Sequence, residues 1–383
     1  MSANNLSARF ESLYAKVARV YRAPGRVNLI GEHTDHNEGF VMPMAIDFST
    51  WVAIAPRDDR ILVIRSENFA QTVDFDLDEK KAHGWGHWSD YPRGVSVMLE
   101  NAGHHLRGAE MLVHSEVPIG SGLSSSAAIE VATAFALLDT CGVAVVPLEL
   151  AKVCQQAEND YVGMRCGLMD QFIACFGQTG HALMLDCRSL EYKLLPLPDD
   201  VKVVVCNTMV RHELAGSAYN ARRADCEEGV RLLKAMLPQV RSLRDVSVEE
   251  LEQCKADLPE VIYRRCRHVV KENARVVEAA AALERRDMIT FGELMRESHR
   301  SLRDDYEVSC EELDILVDLA NQAEGVQGAR MMGGGFGGCT VNLVQARSVD
   351  SFKKRVADGY EKATGRVPEI YVCTPAQGAE RVQ

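Results

Sequence analysis

A glycine- and serine-rich segment at residues 117–127 contains the residue types that bind phosphate groups. It reads VPIGSGLSSSA, with an apolar run at 111–113 before it and a helix-forming run at 127–132 after it. Glycines let the backbone turn tightly and approach a ligand, and the free N–H groups and the dipole of a helix start attract anions. A strand, this loop and a helix start would together cradle a phosphate. The alternative is a loop whose serines only cap the helix.

Two familiar interpretations of this segment fail on its residues. The ordinary P-loop requires Gly-x-x-x-x-Gly-Lys followed by Ser or Thr, and that pattern is absent. A serine hydrolase would require a Gly-x-Ser-x-Gly elbow and a histidine placed to activate the serine, and the run at 124–126 offers neither. A phosphate cradle of another type is therefore favoured.

A second glycine loop, MMGGGFGGC at residues 331–339, has five glycines in six positions. It matches the Gly-x-Gly-x-x-Gly of dinucleotide-binding proteins, but that motif requires a helix after the glycines. The residues at 340–344, TVNLV, alternate and are rich in β-branched side chains, so they predict a strand. A plain hairpin turn is the alternative, although five glycines are entropically costly where one or two suffice. We therefore expect a loop whose backbone passes close to a ligand.

A third cluster, PGRVNLIGEHTDHN at residues 24–37, is densely polar after a short predicted strand at 27–30. Carboxylates, imidazoles and an amide within a few residues suit a ligand that carries many hydroxyl groups, since charged acceptors make the stronger hydrogen bonds. A solvated turn is the alternative. Metal binding is disfavoured because the His-Glu-x-x-His spacing is absent.

Length and composition narrow the function classes. The chain has 383 residues, more than one typical domain, with 46% hydrophobic and 26% charged residues, as in soluble globular proteins. A net charge of −12 argues against nucleic-acid binding and gives no support for an anionic membrane as partner. No apolar run approaches the ~20 residues of a membrane span, and no secretory signal is evident. The 12 cysteines contain no Cys-x-x-Cys pair, so we expect reduced thiols in a cytoplasmic protein.

Hydrophobic patterns predict an α+β protein of two closely packed domains, residues 1–200 and 201–383, with the ligand cleft between them. The first half alternates strand-like and helical runs, and the chain becomes helix-rich beyond about residue 225. Helical spacing also predicts one apolar face for a helix in the second half, formed by Val269, Val270, Ala274, Val277 and Ala281.

Together the three segments resemble the GHMP superfamily of small-metabolite kinases and, within it, the galactokinase family. Residues 25–35 resemble the galactokinase signature, 118–127 the ATP-binding motif and 333–338 the third motif, and the resemblance extends over roughly residues 20–375. It implies a two-lobed fold of mixed sheets and helices with the active site in the cleft between the domains. It also implies ATP-dependent phosphorylation of D-galactose at its anomeric hydroxyl, assisted by Mg²⁺.

The resemblance also implies a role for individual residues. Asp170 matches the catalytic base and Arg26 the arginine that orients it, while Ser126 and Glu158 match the Mg²⁺ ligands and have the hard oxygen atoms that this ion prefers. From local context alone, Glu158 is equally a solvated helix charge and Asp170 a helix N-cap. The expected nucleotide-binding residues are Ser66, Gly120, Ser121, Gly122, Leu123, Ser124, Ser125 and Ser126. The expected sugar-binding residues are Glu32, His33, Thr34, Asp35, Gly167, Asp170 and Tyr219.

One position departs from the family pattern. The signature normally has tyrosine after the aspartate, where this chain has His36. Imidazole either replaces the phenol's hydrogen bond with little effect, or packs under Asp35, weakens sugar affinity and adds a group that titrates near neutrality.

Two rival functions remain open. A related kinase could act on N-acetylgalactosamine, galacturonate or arabinose, although the intact Glu-His-Thr-Asp run favours galactose. A catalytically silent sugar sensor is disfavoured, because such regulators lack part of the serine-alanine segment that is complete at 125–127 here. The expected partners are galactose and ATP, with no nucleic acid or membrane, in a monomer or weak homo-oligomer.

Overall fold

The computed structural model of this protein describes residues 3–79, 83–84, 86–210 and 215–383. Within these ranges the helices are α1 Ala3–Tyr14, α2 Asp90–Asn101, α3 Ser125–Thr140, α4 Pro147–Gln156, α5 Met169–Phe176, α6 Ala215–Leu233, α7 Val248–Gln253, α8 Glu260–Glu284, α9 Met288–Asp304, α10 Glu311–Asn321 and α11 Val349–Thr364. The strands are β1 Arg19–Asn28, β2 Phe40–Val41, β3 Pro43–Pro56, β4 Ile61–Ser66, β5 Gln71–Asp76, β6 Ala109–Ser115, β7 His181–Asp186, β8 Tyr192–Pro196, β9 Val201–Asn207, β10 Val326–Met332, β11 Cys339–Gln345, β12 Glu369–Cys373 and β13 Glu380–Arg381.

These strands form three sheets. The largest has the order β13-β1-β3-β6-β4-β5, in which only the β4–β6 pair is parallel among the described strands. A four-stranded antiparallel sheet has the order β10-β11-β9-β12, and a three-stranded one has the order β2-β7-β8. β13 pairs with β1, so the end of the chain returns to the first sheet. The predicted division at residue 200 stays a prediction.

One hydrophobic core joins the two halves of the chain. Val27 and Met42 from the first half pack in the same cluster as Val203 and Val341 from the second-half sheet and Phe291 of α9. Because β1 carries the polar segment and β11 follows the second glycine loop, this core fixes both segments relative to each other. Because close-packed interiors deform little, this core holds the two segments in fixed positions.

An irregularity between β1 and β3 lies beside Arg26, a predicted site residue. Pro24 pairs with Ser49 but Arg26 pairs with Ala45, so β3 bulges at residues 46–48, opposite Gly25. A Cβ at Gly25 would lie 2.7 Å from the carbonyl oxygen of Leu123, and the amide of Arg26 donates to that same oxygen at 3.0 Å. Bulges often re-aim side chains next to active sites, and the contacts of Gly25 and Arg26 with Leu123 join β1 to the serine loop here.

The segment before α5 contains another irregularity. α4 begins at Pro147 and gives way at Ala157–Val162 to a π-helical turn that ends at Gly163, whose φ is 91°. Glu158 lies in this turn and is buried. Single π-helical turns occur often at functional sites because the wider turn redirects side chains.

The predicted apolar face of α8 was wrong in part. Val269 and Val270 are buried as expected, but Ala274 and Val277 are exposed. The buried side instead includes Glu272, which accepts from the amide of Gly31 and from the Ser298 hydroxyl and pairs with Arg275. A fully paired carboxylate is tolerated inside the protein. Because it is charged, a search for apolar residues at helical spacing does not identify the side of α8 that is buried.

All 12 cysteines carry free thiols. No described helix is both long and apolar enough to cross a bilayer.

Candidate active site

Two adjoining cavities lie where the three predicted segments meet. The first has a volume of about 410 Å³ and is lined by residues of the polar cluster, by Tyr219 and by the glycine loop at 333–338. The second, of about 360 Å³, is lined by the serine loop and by Ser66. Both cavities are lined by Arg26, Glu158 and Asp170. This arrangement gives two compartments with one shared charged wall.

Arg26 and Asp170 form the centre of this wall. Nε and Nη2 of Arg26 each donate to a different oxygen of Asp170 at 2.8 Å. Nη1 donates to the carbonyl oxygen of Gly122 at 2.5 Å. Arg26 is 6% exposed, so this bidentate pair is shielded from water and fixed in direction. The side chain of Asp170 retains access to both cavities.

Ser124 adds a second hold on Asp170. It precedes α3 with a left-handed backbone, φ 58°, and its hydroxyl donates to Asp170 Oδ2. The alternative that the serines only cap this helix does not hold for Ser124, because its side chain makes no cap bond. Gly122 also has a positive φ, 84°, and a Cβ there would meet nothing within 4 Å, so glycine serves the turn itself.

Glu158 belongs to a buried network of acids. The side-chain nitrogen of Gln171 donates to Glu158 Oε2 at 2.7 Å and to Glu130 Oε2 at 3.0 Å. Burial and the neighbouring Asp170 raise the pKa of Glu158 to about 7, against hydrogen bonds from Ser126, Cys166 and Gln171 that lower it. Burial and Glu158 also raise the pKa of Glu130 well above its ordinary value. Sequence reasoning missed Glu130 and Gln171, which carry no motif.

The donors around Glu158 fit Mg²⁺. The Ser126 hydroxyl is close enough to Glu158 to lower the pKa of that carboxyl, and both residues line the second cavity. Among the described residues no group of three or more His, Cys, Asp or Glu side chains is placed to hold a metal ion. Mg²⁺ commonly takes only one or two carboxylates, with phosphate and water oxygens completing its shell. Two hard oxygen donors beside the serine loop satisfy that requirement.

Asp35 lies deep in the first cavity. Its Oδ1 accepts from the His36 amide at 2.9 Å and lies 3.3 Å from His36 Nδ1. Burial opposes ionisation of Asp35, but its hydrogen bonds with His36 outweigh burial and lower its pKa. A Cβ at Gly167 would overlap Oδ2, Cγ and Cβ of Asp35. Glycine at 167 is therefore needed for the carboxylate to reach the cavity wall.

Glu32 ties the polar cluster to the glycine loop. Its Oε1 accepts from the Gly333 amide at 2.8 Å and from Arg330 Nη2 at 3.0 Å. Arg330 is fully buried and also donates to the carbonyl oxygens of Asn28 and Leu29. Burial raises the pKa of Glu32, while Arg330 opposes that shift. This arginine was absent from the predicted site, since no local signal marks it.

The loop at 333–338 combines both interpretations of its sequence. It connects the antiparallel strands β10 and β11, so it is a hairpin loop, followed by the predicted strand and not by a helix. Its residues also line the first cavity. The loop that was expected to pass close to a ligand is therefore a hairpin loop that lines the first cavity.

Three predicted site residues point away from both cavities. The Thr34 hydroxyl is bonded to the carbonyl oxygens of Gly31 and Phe40, and the Ser121 hydroxyl donates to that of Pro118. The Leu123 side chain lies in the core that joins the two halves. These side chains therefore stabilise the conformation of the loops.

Aromatic residues missed by sequence reasoning line the second cavity. Phe69 and Trp88 stack with their ring centroids 5.7 Å apart, and Tyr91 lies on the same wall. Trp88 Nε1 donates to Gln71. Flat apolar surfaces beside the serine loop suit a planar base. In the sequence, Trp88 and Tyr91 near a helix start are only a weak indication of a cavity wall.

Comparison with known proteins decides the family. A family model of the galactokinase galactose-binding signature matches residues 8–56, and models of the N-terminal and C-terminal GHMP kinase domains match 90–178 and 279–362. A galactokinase from Roseiflexus sp. (strain RS-1) is 49% identical over 383 residues, covering 100% of this chain and 98% of that protein. The chain belongs to the galactokinase family.

Solved structures of the galactokinase family and its relatives agree with this assignment. The crystal structure of Lactococcus lactis galactokinase complexed with galactose matches with a TM-score of 0.95 and 38% identity over 99% of both chains. Methanococcus jannaschii mevalonate kinase matches with a TM-score of 0.66 and 18% identity over 94% of this chain and 99% of its own, which shows a shared fold alone. The predicted GHMP-type α+β fold is confirmed.

Proposed function

We propose that this protein transfers the γ-phosphoryl group of ATP to the anomeric hydroxyl of D-galactose, giving galactose 1-phosphate. The first cavity receives the sugar and the second the nucleotide. The observation that carries the proposal is Asp170, which lies on the wall shared by both cavities and is held by Arg26 and Ser124. A reacting hydroxyl and a γ-phosphate must meet at such a wall.

The two central side chains supply complementary chemistry. An Asp170 carboxylate oxygen accepts the proton of the sugar's anomeric hydroxyl. The hydroxyl oxygen bonds to the γ-phosphorus as the bond from that phosphorus to ADP breaks and ADP leaves. The guanidinium of Arg26 fixes the direction of this carboxylate through two bonds. Its positive charge also lies where the transferring phosphoryl group gains negative charge, and such preorganised stabilisation lowers the barrier.

The nucleotide is held by backbone and hydroxyl groups. Gly120, Gly122 and the serines at 124–126 line the second cavity, and the free amides at the start of α3 suit a polyphosphate. Phe69, Trp88 and Tyr91 offer surfaces for the base, and Ser66 lies on the same wall. Ser126 and Glu158 would hold Mg²⁺, which neutralises phosphate charge when bound.

Sugar selection falls to the carboxylates and rings of the first cavity. Asp35 and Glu32 offer acceptors for sugar hydroxyls, with His33 and Tyr219 on the same wall and Gly167 leaving room for Asp35. A site built from buried polar groups rejects a ligand that leaves them unpaired. The likeness to a galactokinase complexed with galactose supports this sugar over the alternatives.

A catalytically silent sensor is the second candidate, and the geometry disfavours it. The complete serine loop, and the hold of Arg26 and Ser124 on Asp170, support phosphoryl transfer over sensing alone. Cytoplasmic location and a monomer or weak homo-oligomer stay predictions from the sequence.

The test is sugar-dependent ADP release with MgATP across galactose, glucose, N-acetylgalactosamine, galacturonate and arabinose. The proposal expects turnover with galactose and a product phosphorylated at the anomeric carbon, identified by ³¹P NMR. Preferred turnover of another sugar would refute the substrate. Galactose binding without ADP release from any sugar would instead support the sensor.

A further inference from the structure

His36 stands where the galactokinase signature has tyrosine, and the structure places its ring beneath the sugar cavity. Nδ1 lies 3.3 Å from Asp35 Oδ1 and 3.3 Å from the Tyr219 hydroxyl. The side chain is only 1% exposed, and the residue is not part of the cavity lining. The imidazole therefore bridges two residues proposed to contact the sugar, without contacting the sugar itself.

Several titratable groups face this ring. Asp35 belongs to the same loop, Tyr219 and Cys226 approach from α6, and the ring of His33 lies 6.0 Å away between centroids. Burial opposes a charge on His36, but the nearby Asp35 and Cys226 outweigh it and raise its pKa to about 9, while Nε2 is buried without a hydrogen-bond partner among the described residues. Burial raises the pKa of Tyr219 well above its ordinary value and lowers that of His33. At neutral pH the ring pair is therefore an imidazolium against a carboxylate.

This charge has a geometric consequence for Asp35. Its Oδ1 is held twice by His36, through the amide and through the ring. Its Oδ2 faces the position of a Gly167 Cβ, and none of the described residues donates a hydrogen bond to it. Because His36 holds Oδ1, it also sets the direction of Oδ2, which is the oxygen available to a sugar hydroxyl. A tyrosine at this position would offer one neutral donor instead of a charged ring.

We propose that His36 is a positioning residue for sugar binding: its imidazolium fixes the Asp35 carboxylate and the Tyr219 hydroxyl, so that galactose affinity depends on the proton that His36 carries. This inference rests on the proposed function, because it assigns those two groups to the sugar. Phosphoryl transfer itself depends on Asp170 and Arg26. Loss of the proton should therefore change KM for galactose and leave kcat in place.

The test measures kcat and KM for galactose from pH 6.5 to 10 at saturating MgATP, for the unsubstituted protein, His36→Gln and His36→Tyr. Charge-assisted hydrogen bonds are roughly twice as strong as neutral ones, so KM of the unsubstituted protein should rise about fivefold as pH passes 9. His36→Gln should show the raised KM already at pH 7 and a flat profile. His36→Tyr should also be flat, with a KM below that of His36→Gln because the phenol can donate to Asp35. Cys226→Ala removes the other group that raises the pKa of His36, so this variant should keep the pH dependence of KM with a lower midpoint.

A second measurement needs no substitution in the protein that is titrated. With ¹³C-labelled histidine, the ring resonance that is missing from His36→Gln should titrate with a midpoint near pH 9, and galactose should shift that midpoint. A midpoint near pH 6.5, or one that galactose leaves unchanged, would overturn the inference. Equal KM profiles for the unsubstituted protein and His36→Gln, or a break in kcat alone, would also overturn it. Failure to turn over galactose at every pH would refute the proposed function and this inference together, whereas turnover with a pH-independent KM refutes this inference alone.

Discussion

Replacing Gly167 by alanine should weaken sugar binding by displacing one carboxylate. The three atoms nearest to a Cβ at this position are Oδ2, Cγ and Cβ of Asp35. Gly167 is not among the residues with positive φ, so its backbone accepts alanine without strain. The carboxylate must therefore move while the fold persists.

The size of the fall in kcat/KM follows from the hydrogen bond that the Asp35 carboxylate must lose. Its Oδ1 is anchored by the His36 amide at 2.9 Å, so a shift either breaks that bond or withdraws Oδ2 from the sugar. A hydrogen bond to a charged group contributes about 1.5–3 kcal/mol, and about 1.4 kcal/mol corresponds to a factor of ten. We therefore expect kcat/KM for galactose to fall about 10- to 150-fold, mainly through KM.

A coupled assay of ADP release measures this change, with galactose and ATP varied in turn. KM for ATP should stay constant, because Gly167 lines the sugar cavity and not the nucleotide cavity. The matched control places Gly167→Ala in an Asp35→Ala background, where the two closest clashing atoms are gone and most of the added loss should vanish. An equal loss in both backgrounds, or a changed KM for ATP, would refute the reasoning.

Three further predictions concern charged residues. Arg26→Ala should lower kcat about 100- to 1,000-fold with KM for ATP little changed, and Arg26→Lys should be intermediate because lysine keeps the charge without the bidentate geometry; steady-state kinetics that change KM alone would contradict the role. Glu158→Gln should raise the free Mg²⁺ needed for half-maximal rate by at least about tenfold, and an unchanged Mg²⁺ titration would rule out the ligand assignment. Glu272 has its pKa lowered to about 2 from 4.5, so its contribution to stability is complete above pH 4.5 and is lost as pH falls towards 2, roughly 3 kcal/mol in all. Denaturant unfolding should therefore show Glu272→Gln destabilised at pH 7 and less so at pH 3, while Glu278→Gln, exposed on the same helix, should match the unsubstituted protein at both.

The elements around both glycine loops could be predicted because their signals are local. The apolar run at 111–113 lies in β6, the run at 127–132 lies in α3, and the alternating residues at 340–344 lie in β11. Side-chain periodicity and residue type suffice for such elements. The family motifs then named most of the residues that line the two cavities.

The irregular features could not be predicted because they depend on distant partners. The β3 bulge opposite Gly25 depends on the register of β1 with β3, and Arg26 is fixed by the distant Leu123 carbonyl. Arg330 is placed by a carboxylate almost 300 residues earlier in the chain. The sequence around Ser124 is compatible with a helix cap, but the Ser124 hydroxyl donates a hydrogen bond to Asp170. Such contacts leave no local pattern, since residue types alone do not give tertiary geometry.

The measurement that tests the central claim most directly compares the unsubstituted protein with Asp170→Asn, using galactose-dependent ADP release and ATP affinity together. The amide is close in shape to the carboxylate but cannot take up the hydroxyl proton as a base. Our account predicts that turnover falls to the background rate while the dissociation constant for ATP changes little. Normal turnover by Asp170→Asn would contradict the assignment of Asp170 as the base.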